Sequence, residues 1–333
     1  MTPLVTVVVP TRDRLPLLRE ATASVLAQDW AAWELVVVDD ASSDGSADWI
    51  ESLTVEQIRV VRLDTHAERS AARNRGLAAA TAPTVLFLDD DDRLRPSALR
   101  VLSSALERHP DAAATIGAKV VFDGAGHRKR IPHPRVRLLR PVWEEVMAGW
   151  MFVSGQMLLR TETVRAAGGW NEDLKVAEDQ DLWLRVPGRR PAVLVPAVVL
   201  EQRSRPEGAV GADEIERQVR ERAMAQLGLD DRRRATRLVE ARHHLRDAGH
   251  AFEDERFAAA TAALVRASSA APSLLTSPIW GPQLVLSTAK GAAAAALPGP
   301  AGTWARRTVK AARNRLGRNP VEAGVRPIGR EKS

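Results

Sequence analysis

Residues 84–92 read Thr-Val-Leu-Phe-Leu-Asp-Asp-Asp-Asp. The first five residues have the composition of a buried strand, and the carboxylates of Asp89, Asp90, Asp91 and Asp92 follow without a break. Adjacent carboxylates repel one another and need a cation or solvent. An Asp-X-Asp at the end of a strand offers hard oxygen ligands to Mg²⁺ or Mn²⁺, and the ion can then neutralise a diphosphate. The competing reading is a solvated loop in which Asp92 caps a helix starting near Pro96.

Working outward, the same alternation recurs. Val5–Val9 is an apolar run closed by Pro10, and Glu34–Val38 is another, closed by Asp39 and Asp40. Between them Leu17, Leu18, Ala21, Val25 and Leu26 recur at helical spacing, which makes a β-α-β unit. A second helix is expected from Ser46, its cap, through Leu53, then a strand over Ile58–Leu63 and a helix over Ala71–Ala80. Buried strands alternating with helices predict an α/β fold, a mainly parallel sheet flanked by helices. Ligands of such sheets bind at the carboxyl ends of the strands. There the sequence places Thr11, Arg12 and Asp13, then Asp39 and Asp40, then Asp89 to Asp92.

Beyond residue 110 the pattern is less regular. Thr115–Phe122 reads as a strand, residues 123–135 as a basic Gly and Pro loop, and Val153–Arg160 as a further strand. Gly168, Gly169 and Trp170 precede Glu178, Asp179, Gln180 and Asp181. The expected domains are 1–205, a helical extension over 206–275 and an Ala-rich, basic tail over 276–333. Within the extension, Ala248–Pro272 is spaced like one half of a tetratricopeptide hairpin, and since one such copy cannot form a solenoid it is expected to pack against the main domain.

A length of 333 residues suggests two domains, and 45% hydrophobic residues suffice for a sizeable core. Cysteine is absent, which excludes disulfides and thiolate metal sites and fits a reducing, cytoplasmic setting. No signal peptide is expected, nor an apolar run long enough to span a membrane. The net charge of +6 is a property of the tail, since residues 303–333 carry nine Lys+Arg against two Asp+Glu. The region of the motifs therefore lacks the basic field that drives nucleic-acid binding. In the tail, Trp304, Val309, Ala312 and Leu316 form a thin apolar stripe among arginines and a lysine, which suits contact with an anionic membrane surface if helical. A disordered solubilising tail is the other reading.

Taken in order, Val-Val-Val-Pro-Thr-Arg-Asp-Arg at 7–14, Ser24–Gln28, Val-Val-Val-Asp-Asp-Ala-Ser-Ser-Asp-Gly-Ser at 36–46, Ala-Arg-Asn-Arg-Gly at 72–76, the acidic run at 87–92 and Gly-Gly-Trp followed by Glu-Asp-Gln-Asp-Leu form a series. Over residues 4 to about 205 this series resembles the family 2 glycosyltransferases of the GT-A fold. The resemblance implies an inverting transfer of a sugar from a nucleoside diphosphate sugar to a glycan or lipid-linked acceptor, assisted by Mg²⁺ or Mn²⁺.

It further implies residue roles. Asp91 is the direct metal ligand, with Asp89 as the other member of the pair facing the donor's ribose or sugar, and Asp90 lies between them on the donor side. Pro10, Thr11 and Arg12 contact the nucleotide, Asp39 or Asp40 accepts a hydrogen bond from the nucleobase, and Arg73 lies near the donor. Asp179 is the base that takes the acceptor's proton, Glu178 orients it or the acceptor, and Trp170 stands on the acceptor side. Bland readings compete. Asp39 or Asp40 could tie down the turn through Ser42 and Ser43, Trp170 could pack under the loop, and Asp181 could only stabilise a helix N-terminus.

The sequence departs from the family at one place. The stretch Leu200–Arg205 has no His to complete the metal or diphosphate site, which leaves Arg203 or Arg205 for the diphosphate. His133 lies in the irregular loop, while His243 and His244 face different directions on a helix and are expected to be solvated. Two other functions stay open: a GT-A domain that binds nucleotide sugar without turnover, and a phosphatase-type α/β enzyme. The latter lacks a convincing nucleophilic Asp-X-Asp after the first strand.

Overall fold

The computed structural model describes residues 2–122, 128–131, 137–139, 142–148, 152–186, 190–204, 212–254 and 256–276, together with Thr288. They fall into two compact units, one drawn from Met1–Val142 and Phe152–Val219, the other from Trp143–Met151 and Arg220–Arg326. The first unit thus runs past the boundary expected at 205 and yields a short inner segment to the second.

The first unit opens with β1 (Val5–Thr11), α1 (Leu15–Leu26), β2 (Trp33–Asp39), α2 (Ser46–Glu51), β3 (Ile58–Arg62), α3 (Glu68–Ala79) and β4 (Thr84–Phe87). β5 (Arg93–Leu94), α4 (Ala98–Glu107), β6 (Ala114–Phe122), β7 (Arg128–Ile131) and β8 (Arg137–Leu139) follow. After α5 (Val142–Met147) come β9 (Met157–Arg160), α6 (Thr161–Ala166), α7 (Glu178–Arg185) and β10 (Ala192–Arg203).

The sheet order is β3-β2-β1-β4-β9-β6-β10-β5, with β7 on β6 and β8 on β10. The expected parallel part is the half β3-β2-β1-β4. Beyond it β9 runs antiparallel to both β4 and β6, and β6 and β10 are parallel. Every residue of β1 and β2 is buried, as expected of strands covered on both faces. α3 lies close on this sheet because Gly76 has no Cβ; one built there would stand 2.2 Å from Val8 Cγ1.

Several boundaries differ from expectation. α2 has Gly45 at its N-cap, with φ of 83°, and Ser46 is its first helical residue, whose hydroxyl donates to Asp44. Asp44 also accepts the backbone N–H groups of Leu15 and Ser46, so a single carboxylate organises two turns. α3 begins at Glu68, three residues before the apolar pattern does, because its first turn carries charged residues. The strand expected over Val153–Arg160 is a 3₁₀ turn at Ser154–Gln156 followed by β9, with Gln156 donating to the Gly117 carbonyl.

α8 (Ala212–Ala225) leads from the first unit into the second, where α9 (Leu229–Glu253), α10 (Phe257–Ala270) and α11 (Ser273–Thr276) follow. α9 and α10 pack on each other, and the small residues Ala241 and Ala248 of α9 and Ala260, Ala263 and Ala267 of α10 are buried. α9 and α10 thus form a helical hairpin within the second unit. Within the same unit Arg234 donates to Glu144 at 2.9 Å, while burial pushes the Glu144 carboxyl up. His243 is exposed on α9. Among the described residues, no helix is long and apolar enough to cross a membrane.

Candidate active site

The three polar clusters meet at the carboxyl edge of the parallel half-sheet. β1 ends at Thr11 beside Asp39, the Asp40 N–H donates to the Thr11 carbonyl at 2.9 Å, and the Leu88 N–H donates to the Val8 carbonyl. The acidic run therefore leaves the sheet next to the first two clusters. Over them lies an open cleft of ≈ 250 Å³ lined by Pro10, Thr11, Arg12, Arg14, Asp40, Asp89 and Asp90, with His66, Glu68, Arg69 and Ala72 completing the wall.

Asp90 is held by two donors. Thr11 Oγ1 donates to it at 2.9 Å and Arg14 Nη1 at 3.1 Å, and the same nitrogen lies 3.6 Å from Asp91. Burial pushes the Asp90 carboxyl up, against the pull of Arg14. Asp89, Asp91 and Asp92 each present a carboxylate oxygen, all within 4.8 Å of one another. Three hard oxygen donors at that spacing fit Mg²⁺ or Mn²⁺.

Asp92 does not cap the following helix. Its Oδ1 accepts the Arg203 N–H at 2.9 Å, and α4 starts from Ser97 without a side-chain cap. Arg203 is likewise placed otherwise than expected. Its guanidinium donates to the Asp91 carbonyl at 3.2 Å and to Glu20 at 2.7 Å, and stacks on Phe122. It fastens the acidic turn to β10 and does not line the cleft. Arg205 and His133 lie outside the described residues, as does the tail from residue 289 onward.

At the end of β2 the two aspartates divide their tasks. Asp40 lies 2.6 Å from His66 Nδ1 and accepts the Ala67 N–H at 2.7 Å, at the wall of the cleft. Asp39 is buried and accepts the Ser42 N–H at 3.3 Å; its Oδ1 has no partner among the described residues. Ser43 turns to Asp13, whose carboxyl its hydrogen bonds hold below the usual range. His66, Glu68 and Arg69 were missed by sequence reasoning. The available signal was position, since they follow β3 just as the recognised clusters follow β1, β2 and β4.

Arg73 joins this edge to α7. Its side chain is 2% exposed, and Nη2 meets Asp89 at 2.6 Å while Nη1 meets Glu178 at 3.1 Å. Trp170 supplies the third side, with the guanidinium carbon 4.2 Å from its ring. Trp170 has the packing role that stands beside its acceptor-side one. The residue is buried, with its ring edge-on to Phe87 and Trp183, and the Asn74 side chain accepts from its backbone N–H and donates to its backbone carbonyl. It is the floor beneath Arg73.

Glu178 is shared. The Arg69 Nη1 also reaches its Oε1, at 3.2 Å. Asp179, the next residue on α7, is pushed up to about 7, first by burial and then by the charge of Glu178, with Arg73 opposing. A carboxyl poised near neutrality has the basicity a general base needs. Asp181 instead pairs with Arg185 one turn on.

Backbone strain gathers here as well. The non-glycine residues with positive φ among those described are Asp13, Ala41, Glu68 and Ala177. Two follow the ends of β1 and β2, and the other two immediately precede Arg69 and Glu178. Such conformations persist only where the surroundings enforce them, and they cluster at functional sites.

The family model described as Glycosyl transferase family 2 matches residues 6–166. The chain is 31% identical over 189 residues to the O-antigen biosynthesis protein RfbC of Myxococcus xanthus, which covers 55% of this chain and 14% of RfbC. It is 36% identical over 121 residues to the succinoglycan biosynthesis protein ExoO of Rhizobium meliloti (strain 1021), covering 36% of this chain and 33% of ExoO. The chain thus spans only a minor part of the length of either relative. Among solved structures, S. aureus TarS 1-349 in complex with UDP-GlcNAc superposes with a TM-score of 0.63 at 19% identity, over 93% of this chain and 90% of that one.

Proposed function

We propose, from the premise that residues 6–166 are a glycosyl transferase family 2 domain on a GT-A fold, that this chain transfers a sugar from a nucleoside diphosphate sugar to an acceptor hydroxyl with inversion. The observation that carries this reading is the link, through one buried arginine, between the acidic turn at the cleft and Glu178 on α7, whose neighbour Asp179 is a carboxyl poised near neutrality. The names of RfbC and ExoO, and the UDP-GlcNAc bound to TarS, support a nucleotide sugar as donor and an envelope or exported glycan as product.

In this reading the acceptor oxygen attacks the anomeric carbon as the bond from that carbon to the diphosphate breaks. The bonding pair leaves with the nucleoside diphosphate, and Asp179 takes the hydroxyl's proton. Asp89 and Asp91, with Asp92 beside them, would hold the divalent cation. When bound, the cation stabilises charge that develops on the departing diphosphate. Pro10, Thr11 and Arg12 face the nucleotide, Asp40 with His66 meets the base, and Asp90 keeps Thr11 and Arg14 in place.

Calorimetry of nucleoside diphosphates with and without Mn²⁺ tests the donor site. Asp91→Asn is expected to abolish most of the metal-dependent gain in affinity, because one of a few hard ligands is lost. An unchanged affinity in Mn²⁺ would remove Asp91 from the metal site.

The basic excess of residues 303–333 supports peripheral contact with an anionic membrane, where a lipid-linked acceptor would lie, on the cytoplasmic face. A protein ending near residue 300 should keep donor hydrolysis and lose binding to anionic vesicles. Equal vesicle binding by both forms would end that part of the proposal.

A further inference from the structure

We infer that Arg69 is a ligand of the donor's diphosphate and, through Glu178, a positioning residue that couples occupancy of the cleft to the seating of α7. The inference rests on the donor reading above and adds to it a residue and a linkage.

Arg69 lines the cleft, its side chain is 46% exposed, and Nη1 donates to Glu178 Oε1 at 3.2 Å. No other partner of its guanidinium occurs among the described residues. A guanidinium has five N–H donors in a planar fork, so one edge can hold Glu178 while the other meets an anion in the cleft. Arg73 cannot do this. It lies one turn further along α3 and is buried, with its Nη groups committed to Asp89 and Glu178.

The backbone around the contact is set for it. Glu68, with φ of 73°, immediately precedes Arg69, and Ala177, with φ of 61°, immediately precedes Glu178. Both partners of the ion pair are therefore presented by strained residues without glycine's freedom. The Glu68 side chain turns to Lys175 at 2.9 Å, which keeps its carboxylate occupied. Since Glu178 is the first residue of α7 and Asp179 the second, any group that fixes Glu178 fixes the base's helix.

In the occupied cleft the diphosphate and Glu178 lie on two edges of the same guanidinium, and Arg69 is immobilised between them. α7 is then held most firmly when the donor is present. Arg73 does not provide that linkage, because it is buried and its two Nη groups are already committed to Asp89 and Glu178.

Two measurements test this on the full chain. Calorimetry in Mn²⁺ compares UDP, GDP, ADP and dTDP with their free nucleosides for wild type, Arg69→Gln and Arg69→Lys. Loss of one charge-assisted contact to phosphate should weaken the preferred diphosphate by about 10-fold or more in Arg69→Gln, with the nucleoside unaffected. Arg69→Lys should recover only part, since a point charge cannot serve two edges. Hydrogen exchange should show that the diphosphate slows the amides of residues 178–185 in wild type and not in Arg69→Gln. Equal diphosphate affinity in wild type and Arg69→Gln would overturn the proposal and leave the donor site standing. Equal protection of α7 in both would overturn the linkage. A wild type that binds none of the diphosphates would overturn the donor reading and the role of Arg69 together.

Discussion

Asp179→Asn is expected to leave nucleotide affinity nearly unchanged and to lower turnover by about 10²–10⁴-fold, the usual contribution of a general base. The amide keeps the shape of the carboxyl and removes the proton acceptor. Wild-type turnover should rise with pH and level off above about 7, because the carboxyl must be ionised to act and its pKa stands there. Glu178, Arg73 and Asp89 are the charged groups that set this value beside burial. Stability should move in the opposite sense. A carboxyl raised from 3.8 to about 7 binds its proton more tightly in the folded state, so stability falls as pH climbs between those values. Asp179→Asn should lack that fall. A variant that transfers sugar at the wild-type rate would show that the base lies elsewhere; Glu178, already engaged by two arginines, is poorly placed to replace it.

The largest loss of stability is expected for Arg73→Ala. Removal of one member of a buried ion pair costs about 3–5 kcal/mol, because the partner charge is left uncompensated. Here Asp89 and Glu178 would both lose a cation, and Trp170 would lose the group packed on its ring. Urea unfolding, followed by tryptophan fluorescence, should show the midpoint falling accordingly. Arg73→Lys should rescue little, as an ammonium cannot span two carboxylates and stack on an aromatic ring. A midpoint equal to wild type would mean that the network contributes nothing net to folding.

Much of the half-sheet was legible because local chemistry and tertiary role agree in it. The runs Val5–Val9 and Glu34–Val38 are strands because they are rich in β-branched residues and wholly buried, and their closing Pro10 and Asp39 mark the ligand edge. The antiparallel β9 was harder to read. It is four residues long, preceded by a 3₁₀ turn, and inserted between β4 and β6 by pairing across long sequence separations. Trp170 was ambiguous for a related reason, since its burial depends on Arg73, 97 residues away along the chain. Arg69 gave no signal beyond its place after β3. Its meaning comes from Glu178, and a lone arginine in the first turn of a helix is ordinary on a surface. Asp92 illustrates the reverse, where a residue type favoured for capping is drawn to a distant backbone N–H on β10.

The four left-handed residues around the cleft, Asp13, Ala41, Glu68 and Ala177, have a consequence for how such a protein can change. Each holds a conformation that its side chain disfavours, so the loops are stiffer and less stable than relaxed alternatives would be. Heat tolerance can be gained by relaxing such residues, and here each of them adjoins a residue assigned above to the site, Arg12, Asp40, Arg69 or Glu178. Adaptation to temperature and retention of turnover therefore compete for the same four positions, while the buried strands beneath offer little room for either.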